Sequence, residues 1–486
     1  MSMTSEQERL GVLIVGILLV LSTWGFPGDL IRIESWVTIS SITLLLTLYV
    51  FNWSASKKKP VEAIVSYCGA LYHSSNAVRI YAIALISLAI ILIVSLLNPS
   101  HETNYLAGPI ITILSERDHI RWLPATAFAP ETGINAISLI VLLGITGPGV
   151  FNILNRRKTI RIVLWLITIN ALVLSITGFV YKTAGSSKIL GHFEPADARY
   201  FFSTFTYKNH WGAFCILALG GIGALTQYYK TNSSIRNLRS KSPIPVLVLA
   251  SFLIGLTVPV SGSRSCTVIY ALVHLIYLSQ LFSDILPRTI GKTKKIFPSV
   301  VCALLLLSLL LFFSFLVAEE THKEMRDVTV RQFENLKDGQ LETRFYIARD
   351  TCKMFLDKPI WGWGLGTYRF VINDSDRYLG NEHEYAFVHA HNDWLQYMAE
   401  VGMVGFLLLA ILASAPYILY KMRGMNDPIA SWLWGTVFTI YAYALLEFPC
   451  RTPAVSTHTV VIVALATRYS NLTRKRVRFS KNNLAS

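Results

Sequence analysis

Near the C-terminal end of the chain a histidine and an amide stand at the head of an apolar stretch. His391-Asn392 is followed after nine residues by Gly402-Met403-Val404-Gly405, in the run HNDWLQYMAEVGMVG. The apolar run predicts a helix, and the unpaired N–H groups of a helix start point outward, where they suit an anion. Histidine exchanges protons near neutral pH. The stretch therefore joins a candidate phosphate site to a candidate acid/base group, although a histidine at a membrane boundary is also an ordinary solvated side chain. His389 lies two residues upstream, and Asp393 is placed to cap the helix that follows. Gly402 and Gly405, at i and i+3, share a helix face and would let a second helix approach closely.

Arginines supply the complementary charge. Arg264 sits in the five-residue gap Ser261-Gly262-Ser263-Arg264-Ser265 between two apolar runs. A charged residue held at a membrane boundary by so short a turn is a functional candidate, with a snorkelling side chain as the plainer reading. Arg344 and Arg349 lie five apart in a predicted helix, with Asp350 and Asp357 near enough to pair with them. The guanidinium fork suits phosphate through paired, charge-assisted bonds. The segment Trp361-Gly362-Trp363-Gly364-Leu365-Gly366 has neither the strand-then-helix context nor the Lys-Ser/Thr of a nucleotide loop, so it reads as a tight aromatic loop near the membrane surface. His274, alone in an apolar run, reads as a buried, hydrogen-bonded residue. Glu447 and Arg451 flank the turn before the last apolar run and read as an interfacial ion pair.

The elements that must position these groups are membrane helices. Hydrophobic residues make up 53% of the 486-residue chain and charged residues 15%, with a mean hydropathy of +0.47. A soluble chain of this length carries far more charge. The expected fold is an all-α polytopic membrane protein of about twelve spans, at roughly 10–26, 36–53, 78–97, 134–154, 161–180, 208–229, 244–260, 266–282, 297–318, 394–420, 429–447 and 453–470. The span 134–154 contains Gly147-Pro148-Gly149 and is expected to be kinked or broken. Short basic clusters, among them Lys57-Lys58-Lys59, Arg156-Arg157-Lys158 and the tail after Arg468, fall on one side in this count, which makes that side cytoplasmic. The net charge of +15 is mostly this effect, and nucleic acid is not an expected partner. The first span is expected to be retained rather than cleaved as a signal peptide.

The opposite face carries the long loops 98–133, 181–207 and 319–391. Between 319 and 390 lie ten Lys/Arg and thirteen Asp/Glu, a mixture that predicts a folded extracytoplasmic subdomain with short helices. Four regions follow: N-terminal spans over 1–200, central spans over 201–318, an extracytoplasmic loop carrying candidate catalytic residues over 319–391, and C-terminal spans with a basic tail over 392–486. The six cysteines form no C-x-x-C, and spacing leaves open whether Cys352 and Cys450 pair. No Cys/His group has zinc spacing, so neither a metal nor another cofactor is expected.

The pattern H-N-x9-G-x-x-G closely resembles the signature of the O-antigen ligase and O-antigen polymerase superfamily of bacterial envelope proteins. Other segments agree in order. Phe205-Thr206-Tyr207-Lys208-Asn209-His210-Trp211 resembles an aromatic-x-x-Asn-His-aromatic segment of the family. The turn at Arg264 resembles its S-x-S-R turn, and 343–368 resembles its arginine segment followed by Pro-aromatic-Gly-x-Gly. Phe448-Pro449 and Thr452-Pro453-Ala454 resemble a late proline-containing turn. The likeness runs from about residue 200 to 465, and the first half matches only as hydrophobic spans.

The resemblance implies an enzyme of the C-type glycosyltransferase kind in the bacterial inner membrane, with its site facing the periplasm. Its donor would be a glycan on undecaprenyl pyrophosphate, so no ATP site is needed. By this likeness Arg264 and Arg344 bind the pyrophosphate and His391 acts as general base. Arg349, Asn392, His389, Asn209 and His210 are then expected to bind substrate. A ligase would use lipid A–core oligosaccharide as acceptor. A polymerase of O-antigen, capsule or exopolysaccharide would use a growing lipid-linked chain, and a protein O-oligosaccharyltransferase is a third member type. Membrane lipids are the remaining expected partners. A transporter would place its polar groups and broken helices near the midplane, where only His274 and the 147–149 break fit. A non-catalytic envelope scaffold is the other class left open.

Overall fold

A computed structural model describes residues 5–25, 76–107, 111–195, 201–232, 242–285, 343–374, 378, 387–421 and 427–485. The described chain is mainly helical. Helix α1 spans Ser5–Trp24 and α2 spans Asn76–Leu97. A hairpin of β1 (His101–Ala107) and β2 (Ile111–Glu116) follows, then α3 (Ala129–Ile140), a π-helical turn (Val141–Thr146), α4 (Gly147–Ile153) and α5 (Arg157–Thr183). The central group is α6 (Lys208–Asn232), α7 (Ile244–Val260) and α8 (Arg264–Ile285). Beyond them come α9 (Thr343–Asp357), the single turn α10 (Tyr368–Val371), α11 (Asp393–Lys421), α12 (Pro428–Tyr443), a 3-10 turn (Pro449–Arg451) and α13 (Pro453–Ala485).

Among the described residues, five helices are long and apolar enough to cross a membrane: Asn76–Leu97, Thr132–Ile153, Arg157–Thr183, Lys208–Thr231 and Asp393–Lys421. This is a membrane protein built on apolar helices. The expected spans 36–53 and 297–318 lie outside the described residues, as do residues 319–342 of the large loop. The π-turn falls where Gly147-Pro148-Gly149 led a break to be expected. Its ring-widened geometry accommodates the proline, which has no N–H for the ladder. The antiparallel hairpin, pairing His101 with Glu116 and Asn104 with Ile113, departs from the all-α expectation for loop 98–133. Its Thr, Tyr and Ile content suits extended backbone.

Helix α6 is the centre of the bundle, packed against α5, α7, α8 and α12. Nearly all of it is buried, because its small residues let neighbours come close. At Gly220 a β-carbon would collide with Thr436 of α12.

Helix α11 is interrupted at Gly402, whose φ of 64° and ψ of −177° are not helical. The segment 359–364 fills the gap. Met403 and Val404 donate to the carbonyls of Pro359 and Ile360 at 2.8 and 3.3 Å. The carbonyls of Ala399 and Glu400 accept from Trp363 and Gly364 at 3.1 and 2.7 Å. These four groups would otherwise bond one another along the helix. The tryptophan-glycine loop thus replaces two rungs of the ladder and satisfies all four groups. A β-carbon at Gly402 would collide with the Ile360 carbonyl. The close approach expected from Gly402 and Gly405 is therefore made by this loop, not by a second helix.

Two ends of the bundle differ in character. At one, Glu8 is buried and accepts from Arg156 at 3.0 Å and from Thr159 at 2.8 Å, and Arg468 donates to the Leu154 carbonyl. At the other lie the starts of α6, α8 and α11, the ends of α7 and α12, and a small core formed by Leu114, Ile347, Met354, Trp363, Tyr368 and Ala390. Helix α9 packs there against α11. Helix α12 ends at Tyr443, so Glu447, expected within the span 429–447, lies beyond the helix in a turn.

Candidate active site

That second end gathers four separate stretches of sequence around one carboxylate. Glu447 is 2% exposed. Its Oε1 accepts from Arg344 Nη2 at 2.6 Å and from Asn209 Nδ2 at 2.8 Å, and its Oε2 lies 3.2 Å from His391 Nδ1. Arg344 also donates to the Leu446 carbonyl at 3.3 Å. Asn209 is itself fixed, its Oδ1 accepting from Ser263 Oγ at 2.6 Å and its Nδ2 donating to Tyr207 Oη at 2.9 Å. Start of α6, turn before α8, start of α9 and start of α11 are thereby tied to the turn after α12.

Burial raises the Glu447 carboxyl's affinity for a proton. The hydrogen bond from His391 and the charge of Arg344 outweigh it and hold the group below the usual carboxylate range. An ionised carboxylate only accepts, so His391 donates through Nδ1–H, and Nε2 carries the lone pair. His391 is partly open, with 27% of its side chain exposed, and Arg344 is half-exposed. A buried carboxylate therefore orients an accessible imidazole with its basic nitrogen turned away, beside an accessible guanidinium. The imidazole can take a proton and the guanidinium can meet an anion. His391 has a φ of 51°, uncommon for a residue with a β-carbon.

Phe448 forms a second hub. Its ring stacks on His389 at 4.4 Å and on Tyr207 at 5.3 Å, and it meets His391 and His210 edge-on, each at 5.0 Å. His389 and His210 are both buried. They hold the Phe448 ring, against which the His391 ring is set.

The expected site residues divide accordingly. Arg344, His391 and Asn209 meet at Glu447. Arg264 starts α8 with its side chain exposed, next to Ser263. Arg349 pairs with neighbouring Asp350, Nε to Oδ1 at 2.9 Å, and lies over Tyr346. Asn392 Oδ1 accepts from Leu395 N at 3.0 Å, so Asn392 caps α11 and Asp393 does not. Asp393 instead accepts from Cys450 N and Arg451 Nε. The expected pair of Glu447 with Arg451 does not form, since each belongs to a different cluster. Cys352 and Cys450 are free. His274 is buried with its Nε2 3.0 Å from Ser251 Oγ, as read.

On the far side of His389 a cavity of about 690 Å³ runs between α2, the α3–α4 region, α11 and α13. Asp393, Glu400 and Arg451 line its polar end, and residues such as Leu85, Leu142, Phe151 and Val463 line the rest. The roles of Glu447 and Phe448 were missed from the sequence. A lone carboxylate at an apolar helix end was the available signal.

The family described as O-antigen ligase matches residues 249–410. The match bears out the resemblance on which Arg264, Arg344, His391 and the 402–405 glycines were singled out. The matched range does not reach Asn209, His210, Glu447 or Phe448. No curated protein matches the chain. Members of the family are glycosyltransferase-like enzymes, and their substrates are lipid-linked glycans and polysaccharides.

Proposed function

From an O-antigen ligase domain whose histidine is oriented by a buried carboxylate, we propose that this protein transfers a glycan from undecaprenyl pyrophosphate to an acceptor hydroxyl. Transfer takes place at the periplasmic face of the bacterial inner membrane, in a chain of about twelve spans. Arg344 and Arg264 hold the pyrophosphate and stabilise the charge that develops on it as the sugar leaves. His391 Nε2 takes the proton of the acceptor hydroxyl, and the imidazolium so formed is stabilised by Glu447. The acceptor oxygen forms the new bond to the anomeric carbon, the bond from that carbon to the pyrophosphate oxygen breaks, and undecaprenyl pyrophosphate departs. In-line attack inverts the anomeric centre.

The observation that carries this reading is the three-way contact of Arg344, Glu447 and His391. Of the two forms of this chemistry, we take the ligase, with lipid A–core as acceptor, as the first reading. A polymerase would extend a lipid-linked chain by the same chemistry. Glycan structure in a deletion strain separates them. Core lacking any attached chain indicates the ligase, core bearing single repeat units indicates the polymerase, and unchanged envelope glycans would refute both.

A further inference from the structure

Directly behind the His391–Glu447 pair lies a second, buried polar network that the proposed chemistry does not use. Arg451 donates from Nε to Asp393 Oδ1 at 3.3 Å and from Nη1 to Glu400 Oε2 at 3.0 Å. Its guanidinium lies 4.2 Å from the centre of the Tyr397 ring. Only 10% of the Arg451 side chain is exposed, against 2% for Asp393 and none for Glu400. The network continues in both directions. Asp393 Oδ2 accepts from Cys450 N at 2.8 Å. Glu400 Oε1 accepts from Gln396 Nε2 at 3.0 Å, and Gln396 Oε1 accepts from Ala390 N at 3.1 Å.

Its two ends reach the backbone beside the two reactive side chains. Ala390 immediately precedes His391, and Cys450 lies in the turn that carries Glu447 and Phe448. A third tie is direct: the Asp393 N–H is shared between the carbonyls of Ala444 and Glu447, at 2.8 and 3.2 Å. These links matter because neither His391 nor Glu447 sits within a regular helix. His391 also holds a positive φ, which persists only where the surroundings over-determine it. As a source of stability the network is a poor choice, since buried ions are often no better than well-packed apolar residues. Two carboxylates and one guanidinium moreover leave a net negative charge.

We propose that Arg451, through Asp393 and Glu400, is a positioning residue that locks the His391 backbone to the Glu447 turn. The inference rests on reading His391 as the base. Arg451 acts through His391 and is not itself a proton donor or acceptor in the transfer. Misplacement of a reacting group by about 1 Å can cost ~10²-fold in rate.

The test uses the full-length protein in lipid nanodiscs, with lipid-linked glycan extracted from the source cells for transfer and undecaprenyl pyrophosphate alone for binding. Arg451→Gln should lower kcat ~10²-fold while undecaprenyl pyrophosphate binds within about threefold of wild type. Arg451→Lys, able to meet one carboxylate but not span both, should recover about a tenth of the wild-type kcat. Amide exchange at Ala390 and Cys450 should quicken in Arg451→Gln, so the geometry is read even where turnover is low. Wild-type kcat in a folded Arg451→Gln protein would overturn the proposal, and so would equal kcat for the Lys and Gln variants. Loss of undecaprenyl pyrophosphate binding with kcat retained would make Arg451 a ligand-binding residue instead. If the wild-type protein itself transferred nothing, the proposed reaction would fall, a result distinct from any of these.

Discussion

Replacing Glu447 by glutamine keeps the shape of the hub and removes only its charge, so its consequences follow from the three hydrogen bonds. Arg344 and Asn209 both donate to Oε1, which obliges the amide to turn its carbonyl toward them. Its NH2 then faces His391 Nδ1, 3.2 Å away in the parent. Two donors cannot share that contact, so the imidazole proton moves to Nε2 and the lone pair to Nδ1. The nitrogen turned toward the acceptor is then no longer a base. General-base assistance contributes ~10²–10⁴-fold, and Glu447→Gln should reduce kcat by about that factor while donor KM changes little. Stability should change with pH in a matching way. The Glu447 carboxyl is held below 4.5 when folded, so folding favours its ionised form. The stability it contributes is present above the unfolded pKa near 4.5 and disappears as pH falls through the lower folded value. Thermal unfolding followed from pH 7 downward should therefore show wild type and Glu447→Gln converging as the pH falls through the folded value. Transfer kinetics in nanodiscs supply the decisive number. A folded Glu447→Gln protein with kcat within twofold of wild type would refute the tautomer argument.

Other perturbations probe the remaining parts. Arg264→Lys and Arg344→Lys should each lose most transfer activity, because a point charge does not replace the paired fork, and full activity in both would argue for simple charge attraction. Gly402→Ala should destabilise by ~1–3 kcal/mol or more, through positive φ and collision with the Ile360 carbonyl, and an unchanged unfolding midpoint would count against the inserted loop. His389→Ala should cost less transfer than any change at His391, since it removes one face of the Phe448 stack and no proton acceptor. Equal losses would point to a direct role for His389.

Much of the site was legible from residue types because chemistry restricts them. A histidine beside an amide at a helix start, an arginine in a short turn between apolar runs and another in a predicted loop helix can be read without coordinates. Helix locations among the described residues of the second half were legible for the same reason, since apolar runs of fixed length permit little else in a bilayer. Long-range pairing was not legible. Glu447 and Arg451 are four apart and of opposite charge, which makes them look like partners. The turn between them instead sends one carboxylate to His391 and the guanidinium to Asp393, contacts that span 56 and 58 positions. The glycine pair at 402 and 405 was misread for a related reason. Spacing suggested a helix partner, whereas the loop that fills the break comes from about forty residues upstream. Strands β1 and β2 escaped notice because a short hairpin among polar residues carries a weak pattern beside strong apolar helices.

The central claim is that His391 moves a proton while the arginines hold the donor. Steady-state transfer and undecaprenyl pyrophosphate binding, both measured on His391→Ala in nanodiscs, test it most directly. The expected result is a ~10²–10⁴-fold loss of kcat with binding of the pyrophosphate lipid close to wild type. Loss of binding as severe as in Arg344→Ala would make the histidine a phosphate ligand and contradict its role as base.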